Sequence, residues 1–376
     1  MGVADAALDA HGYVMATLPA PAARAGVPVV GLVAHVDTSP DAPGAGVRPF
    51  VHPRYDGRVL VLPGDASVTL DPARQPVLLE HAGHDVITSD GTTLLGSDDK
   101  AGVAVIMQLA EDIVADERAA AARGDAPAPR PPLRLLFTPD EEIGRGVDHL
   151  DLAAFGAGVA YTLDGSGVDR LNVETFNAAE AIVTIEGVGV HPGYAKDVMV
   201  NAGRLAARFV EMLSADEAPE TTDGRAGYLH PHAVTATTEQ AEVRVLIRDF
   251  EDDGIERRRG LVRDAVAQLR AEYPEARVEV EITESYRNML RYIEGTDRRV
   301  IDVALAAARR LGFEPVLEPV RGGTDGARLS ERGVPTPNVF TGGHDFHSRF
   351  EWNTVQNLER SLAYARALVA EWGCCE

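Results

Sequence analysis

A chain of 376 residues, 45% hydrophobic and 25% charged, is long enough for two domains or for one large domain carrying an insertion. Its formal net charge of −22 argues against nucleic acid or an anionic membrane surface as partner, because both would repel it. The only cysteines, Cys374 and Cys375, are adjacent in the tail and cannot build a disulfide framework. With no leader pattern and no apolar run of membrane-spanning length, this composition predicts a cytoplasmic protein.

In chain order, GYVMATLP (12–19) and VPVVGLVAHVD (27–37) read as strands, apolar and β-branched between Gly and Pro. Residues 41–92 are rich in Pro, Gly and Asp and predict an irregular excursion with a short strand at RVLVLP (58–63). Residues 100–122 carry apolar side chains at helical spacing, and GDAPAPRPP (124–132) ends that helix. LRLLFT (133–138) and GVAYTLDG (158–165) follow as strands. The alternation predicts an α/β protein with a mostly parallel sheet flanked by helices. The pattern then changes. Strands at 179–187, 241–250 and 276–285 alternate with helices at 199–213 and 255–273, as in a two-layer α+β unit. A helix at 296–313, a buried strand at 336–343 and a closing helix at 357–372 return to the first pattern. The expected division is a first domain part at 1–175, an inserted domain at 176–287, and a second part of the first domain at 288–376.

Chemistry-bearing residues gather at the strand ends. His35 and Asp37 lie two apart and so share a strand face, either as a structural pair or as a metal ligand with its orienting carboxylate. Asp98 and Asp99 directly precede a helix, where one carboxylate could serve as cap and two exceed that need. Asp140, Glu141 and Glu142 follow LRLLFT, and their simplest reading is a solvated turn with a helix cap. Asp164 ends another strand, and His344 and His347 follow NVFTGG. Open α/β sheets place ligands beyond the carboxyl ends of their strands. So many carboxylates in one cleft would repel each other without counterions, and a pair of divalent cations resolves this. Mixed His and carboxylate donors suit zinc, with cobalt or manganese as alternatives.

HVDTSPD, TLLGSDDKAG, FTPDEEIG, YTLDG, NAGRLAARF, RGGTDGARLS and NVFTGG with its following histidine, in this order, resemble the peptidase T family of tripeptide aminopeptidases. That family belongs to the di-zinc group that also holds aminoacylases and carboxypeptidases. The resemblance runs from about residue 13 to about 370. It implies a di-zinc exopeptidase fold whose inserted domain is a lid and dimerisation domain. It also implies two zinc ions per subunit, short peptide substrates and a homodimer. His35, Asp98 and Asp164 would hold one ion, and Asp98, Glu142 and His347 the other. Asp37 would orient His35, and Glu141 would be the general base that takes a proton from water and returns it to the leaving amine. A cis peptide is implied between Asp98 and Asp99. His191 resembles a lid histidine that polarises the substrate carbonyl, Arg321 a partner for the peptide carboxylate, and Arg248 a weaker candidate for the same task. His344 is expected to be a loop residue. The ligand set alone leaves a related carboxypeptidase, dipeptidase or deacylase open, as well as a metal-stabilised binding protein. Family members carry some forty residues before the first strand, so Met1 is expected to be a late start that leaves an apolar patch exposed and puts activity in doubt.

Overall fold

The computed structural model describes residues 2–3, 5–22 and 26–374, so Met1 and Cys375 lie outside the described residues, and Cys374 is exposed. The chain divides into two compact units. The first comprises 1–173, 289–318 and 324–376, and the second comprises 174–288 with a short return at 319–323.

The first unit is built on an eight-stranded sheet. Its strands run in the order Ala7–Leu8, Val14–Leu18, Leu133–Thr138, Val30–His35, Val159–Gly165, Asn338–Phe340, Arg170–Asn172 and Val316–Leu317. The four central strands, from Leu133–Thr138 to Asn338–Phe340, are mutually parallel. Val14–Leu18 and Arg170–Asn172 join them antiparallel, so the sheet is mixed, with its parallel part at the centre. Every residue of Val30–His35 is buried, as a strand covered on both faces requires. Successive side chains serve opposite layers. Leu32 and Ala34 pack with Val105, Ile106, Ala304 and Leu368 from the helices Ser97–Arg123, Arg299–Arg310 and Val355–Cys374. Val33 packs on the other side with Phe155, Leu150 and Leu329. Within the 41–92 excursion, Phe50–His52 and Val86–Thr88 form a small sheet with Trp352–Thr354.

The second unit is a four-stranded antiparallel sheet in the order Tyr228–Ala236, Gln240–Asp249, Asn177–Glu186 and Arg277–Tyr286. Ala179, Ala181, Val183 and Ile185 alternate onto one face, where Leu205 and Phe209 of Ala202–Met212 and Val262, Val266 and Leu269 of Asp252–Glu272 bury them. The sequence reading lacked the strand Tyr228–Ala236. Its residues YLHPHAVTA carry no clean alternation and include Pro231, which an edge strand tolerates because one row of its N–H groups is unpaired. The register shifts between Pro231 and Ala233. No helix among the described residues is long and apolar enough to cross a membrane.

Candidate metal centre

All four central strands of the first unit deliver a chemical group at or just past their carboxyl ends. Val30–His35 ends on His35, with Asp37 two residues on. Leu133–Thr138 leads through Pro139 into the short 3₁₀ turn Glu141–Ile143. Val159–Gly165 carries Asp164, and Asn338–Phe340 leads into the loop that bears His347. The helix Ser97–Arg123 brings Asp98 and Asp99 to the same place, joined by a cis peptide bond. Gly102 lets that helix lie against the sheet: a Cβ there would stand 2.0 Å from the Leu163 carbonyl, beside Asp164.

Asp98 is the hub. Its Oδ1 lies 2.8 Å from His35 Nε2, while its Oδ2 lies 3.2 Å from His347 Nε2. Asp164 Oδ1 stands 3.6 Å from the same His35 nitrogen, and Glu142 Oε2 stands 2.9 Å from the same His347 nitrogen. The two carboxylate oxygens of Asp98 therefore face two different donor sets. Donor atoms of His35, Asp98 and Glu142 lie within 4.8 Å of one another, as do those of His35, Asp99 and Asp164. Asp99 differs from Asp98 in having both oxygens taken up by backbone N–H groups: Oδ2 accepts that of His35 at 3.1 Å and Oδ1 accepts that of Gly102 at 3.0 Å. It is the capping aspartate of the pair, and it fixes the strand end that presents His35.

Asp37 has more partners than its neighbour. Its Oδ1 accepts from His35 Nδ1 at 3.2 Å and from the Glu141 backbone N–H at 3.2 Å, and its Oδ2 accepts the Glu142 N–H at 3.1 Å. One carboxylate thus sets the His35 ring and the turn that holds both glutamates. The helix-cap reading of these acids fails at Asp140, which occupies the left-handed region (φ 59°) and makes no side-chain cap hydrogen bond. Its contribution is a backbone shape that Asp adopts more readily than most residues. Glu141 and Glu142 leave the turn in different directions. Glu142 meets His347, and the half-buried Glu141 lies where the charges of Asp164 and Asp325 reach it.

The electrostatics follow from burial. Burial, then the charge of Asp98, pushes Asp164 up to about 7. Burial, then Asp164 and Asp325, holds Glu141 well above the usual carboxylate range. Burial works to raise Asp98 too, but hydrogen bonds from His347 and His35 outweigh it and hold that carboxyl below the usual range. Hydrogen bonds to Asp98 and Glu142 raise His347 to about 10. Burial disfavours charge on His35, yet its hydrogen bonds to Asp164, Asp37 and Asp98 raise its pKa. The cluster thus draws positive charge to itself from any available source. Lys100 does not supply it, since its ammonium donates to the carbonyls of Val36 at 2.8 Å and Asp37 at 3.0 Å.

Divalent cations fit this arrangement. Ligand bonds of about 2.0–2.1 Å around a tetrahedral zinc would set neighbouring donor atoms roughly 3.3 Å apart. The observed His–carboxylate separations of 2.8–3.6 Å bracket that value. Glu142 Oε1 is buried with no hydrogen-bond donor, the condition of a lone pair suited to a cation.

The structure adds two buried acids that the sequence reading did not single out. Asp325, from the RGGTDG motif, accepts from Thr138 Oγ1 at 2.6 Å, and burial pushes it up to about 6. Glu351 accepts from three backbone N–H groups of the segment 95–98. His344 is a loop residue, half-buried, whose ring stacks on Trp352 with centroids 4.2 Å apart. The other three sequence candidates belong to the second unit. His191 is exposed, and its Nδ1 accepts the Gly193 N–H at 3.1 Å. Arg248 donates from Nη1 to the carbonyls of Ala179 and Ile247 and lies over the Tyr286 ring. Asp249 and Asp252 pair with Arg258 and Arg287 instead, and no acid among the described residues pairs with Arg248. Arg321 turns both terminal nitrogens to its own unit, donating to the carbonyls of Gly224, Ala226 and Thr222 and to Thr222 Oγ1.

Known proteins share sequence and fold with this chain. The Peptidase dimerisation domain family matches residues 173–277. Peptidase T of Bacillus mycoides is 41% identical over 362 residues, which is 96% of this chain and 86% of that one. Peptidase T of Clostridium botulinum is 42% identical over 361 residues, with the same coverage. Among solved structures, the aminopeptidase PepT of Bacillus cereus superposes with a TM-score of 0.71 at 24% identity, covering 96% of this chain and 84% of that one. A tripeptidase of Staphylococcus aureus superposes with a TM-score of 0.75 at 19% identity, covering 99% and 89%. A dinuclear metal-binding peptidase of the M20 family from Bacillus subtilis has the same fold, with a TM-score of 0.58 at 18% identity over 96% and 84%.

Proposed function

The chain belongs to the peptidase T family and is a metal-dependent aminopeptidase, and from that premise we propose that two zinc ions serve it in releasing the N-terminal residue of tripeptides. His35, Asp98 and Asp164 would hold one ion and Asp98, Glu142 and His347 the other. The observation that carries this reading is the division of Asp98, one oxygen toward each histidine set, beside a Glu142 oxygen that has no hydrogen-bond donor. Bound there, the cations would supply Lewis acidity, acidifying a water and polarising the scissile carbonyl.

The remaining work falls to this chain's own side chains. Glu141 takes a proton from water at its carboxylate and passes it to the departing amine. Its raised proton affinity, caused by burial and then by Asp164 and Asp325, suits a group that must hold that proton between the two steps. Asp37 keeps the His35 ring in register and holds the backbone of Glu141 and Glu142 through the same carboxylate. In the inserted unit, Gly193 N–H bonded to His191 Nδ1 leaves the proton on Nε2, the tautomer that can donate to a carbonyl. Arg248, which has no acid partner among the described residues, is the better candidate for a peptide carboxylate. Arg321 instead braces the 222–226 segment. The inserted unit would also form a homodimer, and the cytoplasm would be the site of action.

Hydrolysis of one tripeptide with free and with acetylated N-terminus tests the reading. Turnover of the free peptide alone is expected, and equal turnover of both would contradict it.

A further inference from the structure

Glu351 is 1% exposed, in the same loop as His347. His344 and Trp352 exchange both backbone hydrogen bonds, at 2.9 and 3.1 Å, and close the intervening residues into a loop that carries both side chains. From this loop Glu351 reaches a segment some 250 positions away. Its Oε2 accepts the N–H of Leu95 at 2.9 Å and of Gly96 at 2.7 Å, and its Oε1 accepts the N–H of Asp98 at 2.9 Å. The turn leading into the helix needs such a partner, because Asp98 and Asp99 have non-helical dihedrals and it is Asp99 that caps the regular helix. Within that turn Gly96 lies in the left-handed region and has no side chain to accept a neighbouring N–H. A second thread runs beside the first: Asn353 Nδ2 donates to Ser97 Oγ at 2.9 Å.

We propose that Glu351 is a positioning residue for the cation shared by Asp98, Glu142 and His347, because it fastens the loop bearing His347 to the backbone of Asp98. This rests on the two-cation reading above. The other donor set has its own braces, since Asp37 fixes the His35 ring and Asp99 fixes the His35 backbone. Loosening Glu351 therefore acts unequally on the two cations. Replacing one acceptor oxygen by an amide, as in Glu351→Gln, turns an N–H donor toward a backbone N–H and releases one end of the tie. Glu351→Asp keeps the charge and shortens the reach.

The test is calorimetric titration of zinc into chelator-stripped, dialysed wild type, Glu351→Gln and Glu351→Asp, with kcat and KM measured on the same samples. Wild type is expected to take up two ions. Each variant is expected to keep one at wild-type affinity and to bind the other about 10–100-fold more weakly, the usual cost of losing an orienting partner. Activity should recover at high zinc with KM near wild type. Two ions bound at wild-type affinity by both variants would overturn the proposal, as would equal weakening of both ions. Failure of both variants to fold would also overturn it, by making Glu351 a general folding residue. A wild type that takes up fewer than two ions would instead overturn the two-cation reading itself.

Discussion

In the inserted unit, Glu180 accepts from Arg244 at 2.9 and 2.8 Å, and Arg258 bonds Asp249, whereas Asp98, Glu142 and Asp164 in the first unit meet imidazoles and one another. No Arg or Lys among the described residues pairs with Asp98, Asp99, Glu141, Glu142 or Asp164. Glu180 and Asp249 thus carry their counterions in the sequence. Arginine beside Glu180 holds that carboxyl below its ordinary value, while burial and neighbouring acids drive Asp164 and Glu141 above theirs. A cluster of acids with no Arg or Lys beside it, and with two histidines as its basic partners, calls for further charge from outside the chain. An acid with a local arginine is part of the scaffold.

The contrast ranks the expected effects. Asp98→Asn removes the group that faces both histidines. Activity should fall on the order of 10⁴-fold or more, because the share of the acceleration due to the cations is lost. Metal analysis of the same sample should show both ions depleted. Glu141→Gln should lower kcat by about 10²–10⁴-fold, the usual contribution of a general base, with metal content unchanged. In the inserted unit, Arg258→Met strands the buried carboxylate of Asp249. Chemical denaturation should report a loss of about 3–5 kcal/mol, while kcat per folded molecule stays at wild type.

The smallest effect separates two histidines of one loop. His344 is pushed down to about 4, first by burial and then by the charge of His81, whereas His347 is raised to about 10 by Asp98 and Glu142. A histidine whose folded pKa lies below its unfolded value near 6.5 favours the fold above 6.5 and loses that contribution as pH falls toward 4. His347 has the opposite sign, contributing fully below 6.5 and losing its contribution as pH rises toward 10. Over pH 6.5–4 in the presence of chelator, His347 is therefore silent and His344 is not. The denaturation midpoint should fall with pH in wild type and fall less steeply in His344→Phe.

The central strands were legible because their burial is written as continuous apolar runs, as in Val30–His35 and Leu133–Thr138. The groups at their ends were legible as residue types, and the family resemblance supplied the division of roles among them. What escaped depends on distant partners. Tyr228–Ala236 is a strand because Gln240–Asp249 pairs with it, not because its own sequence alternates. Arg170–Asn172 and Val316–Leu317 are too short to show a period. Glu351 is defined by amides far along the chain. One local signal lay beside it: an acid set between the aromatic residues Phe350 and Trp352.

The most direct measurement is the count of divalent cations per chain at saturation, by elemental mass spectrometry on dialysed active protein. The account predicts two, with activity lost as they are chelated and restored as they are returned. Full activity with one ion or none would contradict it.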